Sequence, residues 1–266
     1  MNIEEITSKT ALSPSKLPGL SYALNPYIGC MHQCRYCYSP GILHLQNSEW
    51  ENLVKVKRNL PLILSKELRQ KTPGTIGLST VTDPYQPIEK TYQITRYCLE
   101  VLSRKSFPLC IQTKSDLILR DKDLIRKCSN VEVMVSIGTL NDVHRRLLEP
   151  GSSSISNRLS ILKSFSDSDI KTSVFFGPIY PTVTKEEIPE ILERFLECGV
   201  DEIMIDCLHP KQNIKSSLYR ILQDKPEFHE WMISLQTNNQ QESFSDIRNN
   251  IYEYLKNKDV MVKDAF

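Results

Sequence analysis

Between residues 21 and 210, short apolar runs alternate with longer amphipathic stretches. The β-prone runs lie at residues 75–81, 109–113, 131–137, 172–176 and 202–205, with an earlier one at 22–25. Between them apolar residues recur at helical spacing. Residues 92–104 place Tyr97, Cys98, Val101 and Leu102 on one face; residues 155–165 place Ile155, Leu159, Leu162 and Phe165; residues 188–196 place Ile188, Ile191, Leu192 and Phe195. Such alternation predicts parallel strands joined by helical crossovers, an α/β fold. Six units make a partial or curved barrel. A full eight-unit barrel needs about 250 residues, too many to fit before the tail from Lys211, which reads as mostly helical. The turn at residues 150–157 holds Ser152, Ser153, Ser154 and Ser156, and it reads as a loop entering a helix that a serine caps. The expected organisation is an N-terminal extension (1–17), a core domain (18–210) and a helical C-terminal extension (211–266).

Charge removes one easy inference. The chain has 33 Lys+Arg against 32 Asp+Glu and a formal net charge of +1, so nucleic acid as a partner finds no support in a net basic surface. No apolar run approaches a membrane span. The acidic start, Met1-Asn2-Ile3-Glu4-Glu5, lacks the apolar segment of a secretory signal. The expectation is a cytoplasmic protein without a membrane partner. Its eight cysteines then point to metal or redox chemistry rather than disulfides.

Three of them, Cys30, Cys34 and Cys37, form a C-x3-C-x2-C run. Three thiolates can hold three irons of a [4Fe–4S] cluster and leave the fourth iron open to bind a small molecule. In parallel β/α folds reactive groups gather at the C-terminal ends of strands, and this run follows the first one. A structural zinc site competes with that reading. Zinc takes four ligands, and His32 within the loop or His44 nearby would complete a Cys3His set. Three unrelated buried thiols are a further alternative. Cys98, Cys110, Cys128, Cys198 and Cys207 form no close pair, which argues against an auxiliary cluster.

The stretch Asn25-Pro26-Tyr27-Ile28-Gly29-Cys30-Met31-His32-Gln33-Cys34-Arg35-Tyr36-Cys37-Tyr38 resembles the signature of the radical S-adenosylmethionine (SAM) superfamily, in which an aromatic commonly stands where Tyr36 stands. Further segments resemble its spore photoproduct lyase-like branch, often labelled DNA repair photolyase-related. They are residues 79–89, Thr113-Lys114-Ser115 with Leu119-Arg120-Asp121, Leu148-Glu149-Pro150 with Arg158 downstream, and Gly177-Pro178-Ile179-Tyr180-Pro181.

The resemblance implies a partial (β/α)6 barrel of the radical SAM type, a [4Fe–4S] cluster on Cys30, Cys34 and Cys37, and SAM on the open iron. An electron from the cluster then cleaves SAM to methionine and a 5′-deoxyadenosyl radical, which takes a hydrogen atom from substrate. A reductant such as flavodoxin or ferredoxin is the implied partner. Tyr36 and Tyr38 are expected at the cofactor, with ordinary packing as the alternative. Ser79, Thr80, Thr82 and Asp83 end the second strand, where many members carry a Gly-Gly-Glu-like run for the SAM amino group. This chain lacks that run; Thr82 and Asp83 stand in its place, although Asp before Pro also favours a turn. Lys114, ending the third strand, is expected to pair with the SAM carboxylate, against the default of a surface lysine. Ser136, ending the fourth, is a ribose or carboxylate partner. Arg158 is a candidate that could instead pair with Glu149.

Tyr85 and Cys207 are the candidates for a radical relay, with buried packing the competing reading for Cys207. Spore photoproduct lyases carry a hydrogen-donating cysteine in the loop after the second strand, and the region near Thr80 has none, which argues against that reaction in that form. The substrate is open between a nucleic-acid lesion and a peptide, protein or small molecule. The alternative class is a non-catalytic zinc or iron–sulfur binding module. Trp231 and the Asn/Gln-rich run at 236–241 are expected to cover the site or contact a partner.

Overall fold

The computed structural model describes residues 1–168, 170–208, 212–229, 231–233 and 240–265, without the side chains of 47, 212, 213 and 240–243. It opens with two strands that the hydrophobic pattern does not predict, β1 (Asn2–Ile6) and β2 (Leu12–Pro14). β3 (Tyr22–Leu24) starts the expected series. β4 (Tyr27–Ile28) and β5 (Leu53–Lys57) then leave it and form a small sheet with β1, in the order β1-β5-β4.

The series resumes with β6 (Ile76–Leu78), β7 (Leu109–Thr113), β8 (Val131–Ser136), β9 (Lys171–Phe176) and β10 (Glu202–Ile205). From β3 to β10 neighbours are parallel and follow chain order, so each crossover moves one strand along the sheet. β6 and β8 are buried on both faces, which is why they read as apolar runs, whereas β7 alternates buried and half-buried positions. β2 adds antiparallel to β3 at one edge. At the other edge β11 (Met261–Asp264) adds parallel to β10. The tail is therefore helical with a closing strand. β11 is short and its side chains are mostly accessible, so no apolar pattern announces it; it forms because the β10 edge satisfies its backbone.

Helices α1 (Leu60–Glu67), α2 (Ile94–Leu102), α3 (Asp142–Leu148), α4 (Ile155–Ser166) and α5 (Ile188–Leu196) pack around the sheet, and α6 (Gln212–Leu222) and α7 (Gln240–Leu255) form the tail. α5 buries the four residues its spacing predicts. α4 is capped by Ser154, whose Oγ accepts the Asn157 N–H. α2 departs from expectation. Gln93 takes a left-handed conformation (φ 54°) between a short helix, Glu89–Tyr92, and α2, so no single helix runs through residues 92–104. The buried face of α2 is Ile94, Thr95, Cys98, Leu99 and Leu102, while Tyr97 is 46% exposed. No helix among the described residues is long and apolar enough to cross a membrane.

Candidate active site

The three cysteines occupy the loop after β4, at the end of the sheet where β3, β6 and β7 finish. Gly29 admits the chain to this loop. Its φ is +90°, and a Cβ there would lie 2.3 Å from the Leu53 carbonyl oxygen, so the position requires glycine. The loop is held from two sides. On one, the Gly29 carbonyl accepts from Thr82 Oγ1 (2.6 Å) and Gln86 Nε2 (3.2 Å), while Gln86 Oε1 accepts the Met31 N–H at 2.9 Å. On the other, the Gly151 N–H donates to the His32 carbonyl (3.0 Å) and the Arg35 N–H to the Leu148 carbonyl (2.8 Å). A Cβ on Gly151 would sit 2.2 Å from the Met31 oxygen, so the two loops touch backbone to backbone.

Asp83 ties these parts together. One carboxylate oxygen accepts the Tyr85 N–H and the Thr113 hydroxyl, each at 2.8 Å. The other accepts the Lys114 N–H at 2.8 Å and lies 3.2 Å from His32 Nε2. Burial pushes the carboxyl up, but the His32 ring and these hydrogen bonds outweigh it and bring its pKa down to about 2. These contacts make Asp83 the tie that holds the cysteine loop against β6 and β7. The Thr82 hydroxyl also serves the loop, donating to the Gly29 carbonyl and accepting from Gln86 Nε2 at 3.0 Å.

His32, one of the two candidate fourth zinc ligands, has Nδ1 2.8 Å from the Gly151 oxygen, while Nε2 lies 3.2 Å from an Asp83 carboxylate oxygen without meeting hydrogen-bond geometry. Among the described residues, no group of three or more His, Cys, Asp and Glu side chains gathers closely enough to enclose a single metal ion. The thiols nonetheless share one neighbourhood. Burial pushes Cys34 up, the Lys114 ammonium pulls it down, and Glu149, Cys37 and Cys30 push it up further. Burial likewise raises Cys30 and Cys37, and Lys114 again opposes it at Cys37. Lys114 is therefore the cation facing the cysteines. Among the described residues its Nζ makes no hydrogen bond or ion pair. Ser79, just past β6 with φ 68°, has a buried Oγ without a hydrogen-bond partner among the described residues. Three clustered thiols, an unspent cation and an orphaned hydroxyl fit an anionic cluster beside a zwitterionic cofactor.

Tyr36 is buried between Cys34 and Cys37, where its hydroxyl donates to Glu149 and its ring meets Tyr180 edge-on, with centroids 6.2 Å apart. Glu149 also pairs with Arg158 and accepts from Ser152 Oγ at 3.2 Å. Arg158 is fully buried and donates to the Ser136 and Ser153 carbonyls at 2.8 and 3.1 Å. It therefore supports the loop through Glu149, the pairing the sequence offered beside a cofactor contact. Ser136 Oγ is buried and accepts from Gln112 Nε2 at 3.2 Å. Tyr38 is exposed and its hydroxyl donates to the Thr80 carbonyl at 2.7 Å.

Tyr85 is fully buried and its hydroxyl is raised by burial and then by Asp121 and Glu89. It lies near the Asp121 and Glu89 carboxylates, which pair with Arg96 and Arg120. Cys207 follows β10, half-buried, with its thiol pushed up to about 11 by burial and by Asp206. Trp231 packs into the core against Phe228, so it does not present a free ring to a partner. The expected role of residues 236–241 falls outside the described side chains. Sequence reasoning missed Gln86, Gly151 and the bridging roles of His32 and Glu149. Only Glu149 left a signal, the Arg158 nine residues downstream.

The model of the Radical SAM superfamily matches residues 24–195, well over half the chain. An uncharacterised protein of Methanocaldococcus jannaschii is 38% identical over 70% of this chain and 71% of that one. Among solved structures, spore photoproduct lyase complexed with dinucleoside spore photoproduct superposes with a TM-score of 0.75 at 16% identity, covering 99% of this chain and 82% of that one. Streptococcus suis SuiB bound to its precursor peptide SuiA gives 0.61 at 15% identity, covering 91% and 48%. With the cysteine loop held at the strand ends and the family model spanning it, this chain belongs to the radical SAM superfamily and is an enzyme.

Proposed function

We propose that Cys30, Cys34 and Cys37 ligate a [4Fe–4S] cluster and that the enzyme cleaves SAM reductively to take a hydrogen atom from its substrate. The observation that carries this is the convergence of the three thiols with the unspent Lys114 ammonium. When bound, the cluster supplies the electron that breaks the sulfur–carbon bond of SAM. The chain's own residues bind and orient. Lys114 receives the SAM carboxylate, Ser79 and Ser136 offer hydroxyls to the cofactor, and Tyr38 lines the open side. Asp83, Thr82, Gln86 and Glu149 hold the loop still. Residues 18–210 form the catalytic core, flanked by extensions whose strands β2 and β11 complete its sheet. The electron donor is a flavodoxin- or ferredoxin-like protein in the cytoplasm.

The substrate reading nearest to the fold likeness is a nucleic-acid lesion, as in the lyase structure that matches the chain over 99% of its length. A peptide is the second reading, favoured by the likeness to SuiB with its precursor peptide. Anaerobic reconstitution tests the core of the proposal. It should give about four irons per chain, an electron paramagnetic signal that SAM perturbs, and 5′-deoxyadenosine under reduction. Cys34→Ala should lose all three; SAM cleavage by that variant would sink the assignment. Deuterium transfer from labelled dinucleotides or labelled peptides into 5′-deoxyadenosine then separates the two substrate readings.

A further inference from the structure

A cleft opens beside the cysteine loop, lined among others by Cys34, Cys37, Arg35 and Trp50. Among the described residues, two nitrogen donors on side chains that line it have no acceptor. Trp50 is 4% exposed, and its indole Nε1 is buried without a partner; Arg35 Nε is buried in the same state. Neither is a loose surface group. Trp50 sits in the short helix Asn47–Asn52, with its carbonyl accepting from Gln33 Nε2 at 3.3 Å. Arg35 lies between two of the cysteines, with its backbone N–H fixed on Leu148. Buried N–H groups almost always find acceptors, because leaving one unpaired forfeits its bonds to water. Two orphans beside the same pair of thiols call for one explanation.

We propose that Arg35 and Trp50 donate N–H hydrogen bonds to the sulfurs of a cluster held by Cys34 and Cys37, and so set its reduction potential. This rests on the ligand assignment above. Cluster potentials respond to net charge and to hydrogen bonds on the sulfurs. Reduction adds negative charge to those sulfurs, so a donor stabilises the reduced state more than the oxidised one. Removing the donor should lower the potential and make the cluster harder to reduce. Arg35 adds a positive charge with the same sign of effect.

The test is a redox titration of the reconstituted full chain, followed by electron paramagnetic resonance, with iron content measured in parallel. Trp50→Phe keeps the ring and removes the N–H; Arg35→Lys keeps the charge and removes the Nε–H. Each should hold the parent's iron content and titrate at a more negative potential. A purely structural role would reduce iron occupancy and leave the potential of the remaining cluster unchanged. If both variants keep the iron and titrate with the parent, the inference is overturned. If one moves, that donor is established and the other is not. Should Trp50→Phe fail to fold, Arg35→Lys decides. Absence of any cluster in the parent overturns the ligand assignment instead, so the two failures are distinguishable.

Discussion

The Tyr36 hydroxyl donates to the Glu149 carboxylate, a contact between side chains 113 residues apart. It joins the middle of the cysteine run to the turn after α3. Arg158 completes the group from the first helical turns of α4. Three elements that are remote in the chain thus meet at one buried carboxylate, directly behind the ligand loop.

Removing that carboxylate should be costly. Glu149→Ala leaves the Arg158 guanidinium buried and uncompensated, which typically costs about 3–5 kcal/mol. Tyr36→Phe removes one hydrogen bond to a charged group and should cost about 1–3 kcal/mol. Urea unfolding of the two variants should rank them in that order. Equal effects would show that Arg158 finds another partner.

The same carboxylate makes stability depend on pH. Burial pushes Glu149 up, but the charges of Arg158 and Lys114 and its hydrogen bonds bring it to about 2. An unfolded Glu titrates near about 4.3. Because the folded value is depressed, the stabilisation is complete above the unfolded value and is lost as pH falls through about 4 towards 2. Thermal melting between pH 7 and pH 2 should drop across that window, and Glu149→Gln should flatten part of the drop.

Lys114 should matter for SAM and not for folding. Lys114→Met removes a charged donor worth roughly 1.5–3 kcal/mol, so SAM should bind at least about tenfold more weakly. Iron content should stay at the parent value. Titration of the reconstituted protein with SAM reads both. Unchanged affinity would place the SAM carboxylate elsewhere.

Gly151→Ala tests the backbone contact between the two loops. The added Cβ would fall 2.2 Å from the Met31 oxygen and 2.9 Å from His32 Cα. Backbone cannot swing aside as a side chain does, so the cysteine loop must shift. Overpacking of this kind costs about 1–3 kcal/mol. The expected result is lower iron occupancy after reconstitution, out of proportion to the loss in melting temperature. Full occupancy would show that the loop tolerates the displacement.

Much of the architecture was legible in the chain. Strands buried on both faces appear as apolar runs, and α5 shows its buried face at helical spacing, so β3 and β6–β10 and the crossovers could be placed. The α2 start was misread because Gln93 interrupts the helix with a left-handed residue, and its face because two overlapping stripes share Cys98 and Leu102 and packing selects the one through Ile94 and Leu99. β1, β2 and β11 were missed because short edge strands take their stability from a neighbour's backbone rather than from a pattern of their own.

The site divides in the same way. The grouping of the three cysteines is written in the sequence because their spacing is local: a single loop brings the thiols into one neighbourhood. Lys114 and Ser79 could be placed just past strand ends because those ends are predictable in a parallel fold. The partners that Asp83, Thr82, Arg158 and Tyr85 meet could not all be read, because they depend on which donors and acceptors the fold brings to a polar side chain. His32 and Thr113 claim Asp83, Gly29 claims Thr82, Glu149 claims Arg158, and the Asp121 cluster surrounds Tyr85. Those partners lie tens of residues away along the chain, and only tertiary packing brings them within hydrogen-bond distance.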